Sequence, residues 1–138
     1  MKAKIKWQEG VSFSGETESG HTLIMDGAPE AGGRNLGPRP MEMILLGLGG
    51  CTAFDVVMIL QKGRHQVTDC SIEIDAKRAT EDPKVFTHIH LHFIVSGKNL
   101  EAHHVDRAIN LSAEKYCSAS IMLSSTAQIT HDFEIIET

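Results

Sequence analysis

Hydrophobic and polar residues alternate in three short runs at the start of the chain. This period of two is typical of β-strands that bury one face, and turns that contain glycine separate the runs. The pattern predicts strands over residues 2–9, 11–17 and 21–25. Because the connections are short, we expect these strands to form an antiparallel meander.

The segment from Gly27 to Pro40 is rich in Gly, Pro and Ala and shows no alternating pattern. It is longer than most connections in compact domains, and long loops of this kind often carry function. Arg34 and Arg39 lie within it. Its GGRNLG run does not match the glycine pattern of phosphate-binding loops, so we expect no phosphate-binding role here.

Residues 40–62 are strongly hydrophobic and predict one long helix. Pro40 suits the first turn of a helix, and a glycine follows its last residue. Between Met43 and Leu60 the only strongly polar side chain is Asp55, so the helix is apolar around nearly its whole circumference. A chain of 138 residues covers such a helix only in part, and we therefore expect a homodimer.

A membrane-spanning segment is the alternative explanation of this hydrophobic helix. Asp55 near its middle, three glycines and the polar strands around it argue against that interpretation, and we expect no contact with a membrane. The first ten residues, MKAKIKWQEG, lack an apolar stretch of signal-peptide length, so we expect a cytoplasmic protein. A net charge of -5 does not favour nucleic-acid binding.

The second half of the chain predicts a long hairpin, two helices and a final strand. The predicted elements are strands over 67–78 and 86–96, helices over 101–116 and 118–124, and a strand over 129–136. Strands and helices follow each other without the regular order of parallel βαβ units, so the predicted class is α+β. We expect a single domain over residues 1–138.

Two of the three cysteines are candidates for thiol chemistry. Cys51 follows two glycines inside the hydrophobic helix, and Cys117 lies in the separate segment AEKYCSAS. A thiol becomes a useful nucleophile when its thiolate is stabilised, and Arg34 or Arg39 is the cation expected to reach it. Glu42 could orient such an arginine, or it could only favour the N-terminus of the helix.

Glu42 and Cys51 are nine residues apart on the predicted helix. A straight helix places them about 13 Å apart along its axis and on opposite faces. If they act together, Glu42 must come from a second copy of the helix, which agrees with the expected dimer. The third cysteine, Cys70, shares a strand face with Ile72 and Ile74, and we expect it only to pack.

Histidines alternate with hydrophobic residues in THIHLHF, so His88, His90 and His92 share one face of a predicted strand. Such a face could present ring nitrogens to zinc, or it could simply be solvated. The ligands of a metal must converge on one point, and a flat strand achieves this only when other segments add ligands. We therefore expect no metal. His103 and His104 begin a predicted helix and are expected at the surface.

Two segments resemble those of a known family. PMEMILLGLGGCTAFDVVMILQKGR is similar to the central helix of the OsmC/Ohr family, the osmotically inducible and organic-hydroperoxide-resistance proteins, and LSAEKYCSAS is similar to the segment with its second cysteine. The resemblance spans essentially the whole chain and points to the YhfA-like branch. It implies an α+β fold with antiparallel sheets around a long buried helix, and two intertwined chains with active sites at the dimer interface.

The resemblance also implies a thiol-dependent peroxidase that reduces organic hydroperoxides without a cofactor. Cys51 corresponds to the peroxidatic cysteine and Cys117 to the resolving cysteine of the family. Their disulfide would be reduced by an external dithiol of the lipoyl type. Arg34 corresponds to the catalytic arginine, which the family supplies from the loop before the central helix.

The glutamate departs from the family pattern. In peroxidase members it directly follows the proline that begins the helix, where this chain has Met41 and places Glu42 one step later. One step along a helix rotates a side chain by about 100°. The sequence therefore leaves a second hypothesis open, a non-catalytic member that binds a small apolar ligand at the dimer interface.

Overall fold

The computed structural model describes residues 1–138 and contains two compact units, Met1–Leu46 and Gly47–Thr138. Each unit has its own three-stranded sheet, and the helix α1 (Pro40–Lys62) contains residues of both. Two sheets combined with a long helix confirm the predicted α+β class. The expectation of a single domain over the whole chain stays a prediction.

The first unit contains the predicted meander. Its strands are β1 (Ala3–Glu9), β2 (Ser12–Thr17) and β3 (Thr22–Asp26). They pair antiparallel in the order β1–β2–β3. Four of their six ends differ from the predicted ends by one residue, and the other two agree. Gly10 and Gly20 lie in the two connecting turns with φ angles of 56° and 91°, which glycine adopts at little cost.

The second unit contains a mixed sheet in the order β4–β5–β6. Its strands are β4 (Gln66–Arg78), β5 (Phe86–Lys98) and β6 (Gln128–Glu137). β4 and β5 form the predicted antiparallel hairpin, whereas β6 runs parallel to β5. The expectation of purely antiparallel sheets is therefore wrong for this pair. The chain reaches β6 through helices, and a crossover of that length allows a strand to run parallel to the strand before it.

Two further helices belong to the second unit, α2 (Ala102–Leu111) and α3 (Ser118–Leu123). Within the predicted helix over 101–116, α2 ends at Leu111 and the last five residues, Ser112–Tyr116, form a wider turn of the π type. The backbone of Cys117 is extended, and its sulfur accepts a hydrogen bond from the backbone N–H of Ser120 at 3.4 Å. Cys117 thus caps the N-terminus of α3. The π turn just before it is of a kind that is frequent at functional sites.

In the single chain, α1 is buried along one stripe only. Leu48, Thr52, Val56 and Leu60 are at most 2% exposed and recur at every fourth residue, the spacing of one helix face. Other apolar side chains of α1 are open, and Phe54 is 66% exposed. The chain therefore covers its hydrophobic helix only in part, as the sequence indicated.

Candidate functional site

Cys51 of α1 and Cys117 at the start of α3 lie together in the second unit. Their sulfur atoms and a carboxylate oxygen of Asp55 all lie within 4.8 Å of one another. Both cysteines are free thiols. A disulfide needs sulfur atoms about 2 Å apart, so the two thiols must approach each other further before they can bond. The structure thus brings the two predicted cysteines together and adds Asp55 beside them.

The two thiols differ in their access to solvent. Cys51 and Asp55 are one helical turn apart, so α1 presents both side chains on the same side. Cys51 is half-buried, whereas Cys117 is 0% exposed. A small molecule therefore reaches Cys51 first, and Cys117 is shielded.

Hydrogen bonds join α1 to the end of α2 beside the thiols. The Ser112 hydroxyl donates to Asp55 Oδ2 at 3.0 Å and lies 2.9 Å from Thr52 Oγ1. Because a hydroxyl has a single proton, Thr52 must donate to Ser112 in this arrangement. The backbone carbonyl of Ser112 also accepts the N–H of Cys117 at 2.8 Å. Ser112 therefore positions both the Asp55 carboxylate and the backbone of Cys117.

The surroundings keep Cys117 protonated. Burial raises the pKa of its thiol, hydrogen bonds with Ser120 partly offset this effect, and contact with Cys51 raises the pKa further. A thiol with a raised pKa stays uncharged at neutral pH. A carboxylate oxygen of Asp55 lies within 4.8 Å of both sulfur atoms.

The other two predicted site residues, Arg34 and Glu42, lie in the first unit. Arg34 forms an ion pair with Glu9, and its backbone N–H donates to Asp26 at 3.0 Å. Glu42 Oε1 accepts the backbone N–H of Arg39 at 2.8 Å and is 3.9 Å from the Arg39 guanidinium. Glu42 therefore caps the N-terminus of α1, and the arginine that it contacts is Arg39 rather than Arg34.

Asp26 fixes the backbone of the loop that carries Arg34. Its side chain is 2% exposed and accepts the N–H groups of Gly27, Arg34 and Leu36 at 2.9, 3.0 and 3.2 Å. These bonds, chiefly that of Arg34, hold the pKa of Asp26 below its usual value. The alternating pattern of the strands does not predict this role, although an Asp before Gly at the end of a strand is a sequence signal for such a turn.

A cavity of about 590 Å³ shares Asp55 with the thiol site, although neither Cys51 nor Cys117 forms part of its wall. The wall also carries the positive charges of Lys62 and Arg107, which the sequence did not single out. Its remaining large side chains are mostly apolar, namely Phe54, Met58, Ile59, Leu111 and Tyr116. The volume lies within the range of small-molecule sites, so the cavity suits an apolar molecule with a polar or anionic group.

The histidines of β5 form a polar, hydrogen-bonded face. His90 Nε2 and His92 Nδ1 lie 3.0 and 2.7 Å from the same oxygen of Asp132. His90 Nδ1 also lies 2.7 Å from Thr130 Oγ1. The hydrogen bond with Asp132 is the main cause that raises the pKa of His92. The solvated alternative therefore describes these side chains better than a zinc site.

The fold and the site define a class, α+β proteins with a half-buried thiol on the long helix and a buried thiol beside it. The family described as OsmC-like protein matches residues 32–132. Protein YhfA of Escherichia coli K12 is 51% identical over 136 residues, which cover 99% of this chain and 98% of that protein. The chain therefore belongs to the OsmC-like family.

Solved structures have the same fold. A hypothetical protein from Aquifex aeolicus VF5 matches with a TM-score of 0.87 and 26% identity, covering 99% of this chain and 96% of that chain. An organic hydroperoxide resistance protein OsmC from Legionella pneumophila matches with a TM-score of 0.72 and 16% identity, covering 96% and 95%. These matches confirm the expected OsmC-like fold.

The family also bears on the long hydrophobic helix. By length and composition alone, α1 could cross a membrane, with a mean hydropathy of 2.1. Core helices of soluble proteins pass the same test. OsmC-like proteins are soluble, so membership of this family favours a core helix.

Proposed function

We propose that the protein is a thiol-dependent peroxidase that reduces organic hydroperoxides to alcohols. The observation that carries this proposal is the pair of free thiols, half-buried Cys51 and buried Cys117, with sulfur atoms within 4.8 Å. A structural neighbour named for organic hydroperoxide resistance adds support from the family. The cavity that Asp55 shares with the thiol site has a largely apolar wall, which favours alkyl or aryl hydroperoxides over hydrogen peroxide.

The reaction begins when the Cys51 thiolate attacks the terminal oxygen of the hydroperoxide. The O–O bond breaks, the alkoxide takes up a proton and leaves as the alcohol, and Cys51 becomes a sulfenic acid. Cys117 then attacks the Cys51 sulfur, so that the disulfide forms and water leaves. An external dithiol of the lipoyl type reduces this disulfide by thiol–disulfide exchange and restores both thiols, without a bound cofactor.

Positive charge is needed where the alkoxide develops, and we assign this role to Arg34, oriented by Glu42 of the partner chain. In the single chain Arg34 pairs with Glu9, and Glu42 contacts Arg39. The Arg34 and Glu9 side chains are 60% and 69% exposed. Exposed ion pairs contribute little stability, so these side chains exchange partners at small cost when a second chain binds.

The working unit in this proposal is an intertwined homodimer in the cytoplasm, where thiols are kept reduced. The support comes from α1, whose Ile44, Leu46 and Phe54 are 41%, 64% and 66% exposed in the single chain. Exposed apolar side chains grouped on one helix mark an interaction surface. A second copy would bury them and would bring its Glu42 to the site.

Binding of a small apolar ligand without chemistry is the second candidate function. Two observations favour it, namely the cavity of about 590 Å³ and the position of Glu42 as a helix cap. In this case the cavity would hold the ligand between the two chains, and the thiols would contribute only to packing. The two functions predict opposite behaviour of Cys51 towards peroxides.

Consumption of cumene hydroperoxide in the presence of dihydrolipoamide tests the peroxidase. We expect steady turnover by the wild type and almost none by Cys51→Ser, because the nucleophile is gone. Cys117→Ser should turn over more slowly than the wild type, since the Cys51 sulfenic acid must then react directly with the dithiol instead of with Cys117. Cys70→Ser is the matched control, because this half-buried thiol lies on β4.

The same experiment has two outcomes that count against the peroxidase. Equal slow rates in the wild type and Cys51→Ser would remove Cys51 as the nucleophile. Failure of Cys51 to react with a sulfenic-acid trap after peroxide treatment, although a small alkylating agent modifies it, would favour the ligand-binding function.

A further inference from the structure

Three imidazoles and a carboxylate meet at the start of α2, outside the thiol site. Glu101, His103 and His104 each offer a ligand atom, and these atoms lie within 4.8 Å of one another. His65, from the connection between α1 and β4, stacks on His104 with 4.1 Å between the ring centroids. We propose that this histidine cluster binds a divalent transition-metal ion such as Zn²⁺, with Glu101, His103 and His104 as ligands.

The distances between the donor groups suit such an ion. His103 Nδ1 lies 3.3 Å from Glu101 Oε2, and His104 offers a ligand atom within 4.8 Å of theirs. Ligands at about 2.0–2.1 Å in a tetrahedral zinc site stand about 3.3 Å from each other. The pair of His103 and Glu101 already has this spacing, and the stacked ring of His104 must turn to bring its nitrogen to the ion. Imidazole and carboxylate donors suit zinc, nickel and copper, and the fourth position is open to water.

His104 provides a second, independent observation. Its Nδ1 atom is buried and has no hydrogen-bond partner. Buried polar atoms nearly always have a partner, so this imidazole lacks an interaction that a bound ion would supply. His103 and Glu101 are 69% and 65% exposed, so an ion can enter from solvent.

The histidines of β5 differ from the cluster, because their ring nitrogens have hydrogen-bond partners. His90 has a hydrogen-bonding group at each ring nitrogen, Thr130 at Nδ1 and Asp132 at Nε2. His104 has no partner for Nδ1 and instead lies between two other imidazoles. His90 is therefore the matched control for the cluster.

Zinc titration by isothermal calorimetry tests the proposal on the full chain carrying Cys51→Ser and Cys117→Ser. This parent is needed because thiolates are strong zinc ligands. We expect one zinc per chain, binding weakened about tenfold or more by His104→Ala, and unchanged binding in His90→Ala. The melting temperature of each variant without metal checks its fold, and added zinc should raise it only where the cluster is intact.

Equal zinc affinity in the parent and in its His104→Ala variant would overturn the proposal, as would less than one zinc per chain. If the parent does not fold, Co²⁺ added to the wild type gives a second measurement. Cobalt bound by nitrogen and oxygen ligands gives visible absorption bands, and loss of these bands in His104→Ala would support the cluster. Charge-transfer bands from thiolate ligands alone would refute it. Neither result depends on peroxidase activity, so each proposal fails separately.

Discussion

Two carboxylates with different surroundings lie in the two units of the chain. Asp26, in the first unit, accepts three backbone N–H groups and holds the loop that carries Arg34. Asp55, in the second unit, accepts one hydroxyl hydrogen, from Ser112, and lies within 4.8 Å of two sulfur atoms. A carboxylate whose acceptor positions are filled by backbone fixes structure. One with free acceptor positions beside thiols can also influence their reactivity.

Removal of the Asp26 side chain is the change expected to have the largest effect on stability. Asp26→Ala leaves three backbone N–H groups without their acceptor, and unsatisfied donors are costly. We expect the melting temperature to fall by several degrees, with a smaller fall in Asp26→Asn, which keeps one acceptor oxygen. Circular dichroism measures both, and Asp69→Ala, at an exposed position on β4, should change little.

The pH dependence of stability examines the same interaction. The pKa of Asp26 is lowered, so its contribution to the free energy of unfolding is complete above the unfolded pKa of about 3.9 and is lost as the pH falls. The wild type should therefore lose stability more steeply than Asp26→Asn on acidification. The pKa of Asp132 is also lowered, mainly by its hydrogen bond with His92, so both proteins should lose some stability on acidification. Parallel curves would show that the pKa of Asp26 is not lowered in the folded protein.

Local patterns were sufficient to predict most of the fold. α1 begins at Pro40 and ends at Lys62 as predicted, because proline and glycine at its ends are strong local signals. The pairing of β6 was not predictable, since parallel and antiparallel neighbours show the same alternation along a strand. The change from α-helix to a π turn at Ser112 was not predicted, because no glycine or proline marks it in the sequence. Ser112 instead forms a hydrogen bond with Thr52 of α1, a contact between distant parts of the chain.

The candidate site was predictable to a smaller extent. The sequence singled out Cys51 and Cys117, and Asp55 stood out as the one strongly polar residue in the hydrophobic helix. What Asp55 does could not be inferred, because its partner Ser112 is one of many serines and becomes distinctive only by its position. The contact between Glu42 and Arg39 is local, three residues apart, and agrees with the capping alternative.

Loss of the Ser112 hydroxyl should have the second largest effect on stability. Ser112→Ala leaves the buried Thr52 hydroxyl and the Asp55 carboxylate without their shared partner. We expect a loss of about 1–3 kcal/mol in the free energy of unfolding, measured by urea denaturation. The backbone carbonyl of Ser112 still accepts the N–H of Cys117 in this variant, so the position of Cys117 should change little.

Two comparisons distinguish this network from a general packing effect. Ser118→Ala, at an exposed position next to Cys117, should leave stability nearly unchanged. Combined with Thr52→Val, the Ser112→Ala change should cost less than the sum of the two single changes, since both remove the same hydrogen bond. Strictly additive losses would mean that the two hydroxyls do not interact.

The smallest effect on stability is expected from Asp55→Asn, which keeps an acceptor for Ser112 and removes only the charge. Like charges about 4 Å apart repel by about 1 kcal/mol even in water, so the variant should react with iodoacetamide at Cys51 roughly fivefold faster or more at neutral pH. Mass spectrometry of the modified peptide measures this rate, with exposed Asp106→Asn as the control. Slower reaction would instead mean that Asp55 accepts the thiol proton, and the carboxylate would then assist the chemistry of Cys51 rather than restrain it.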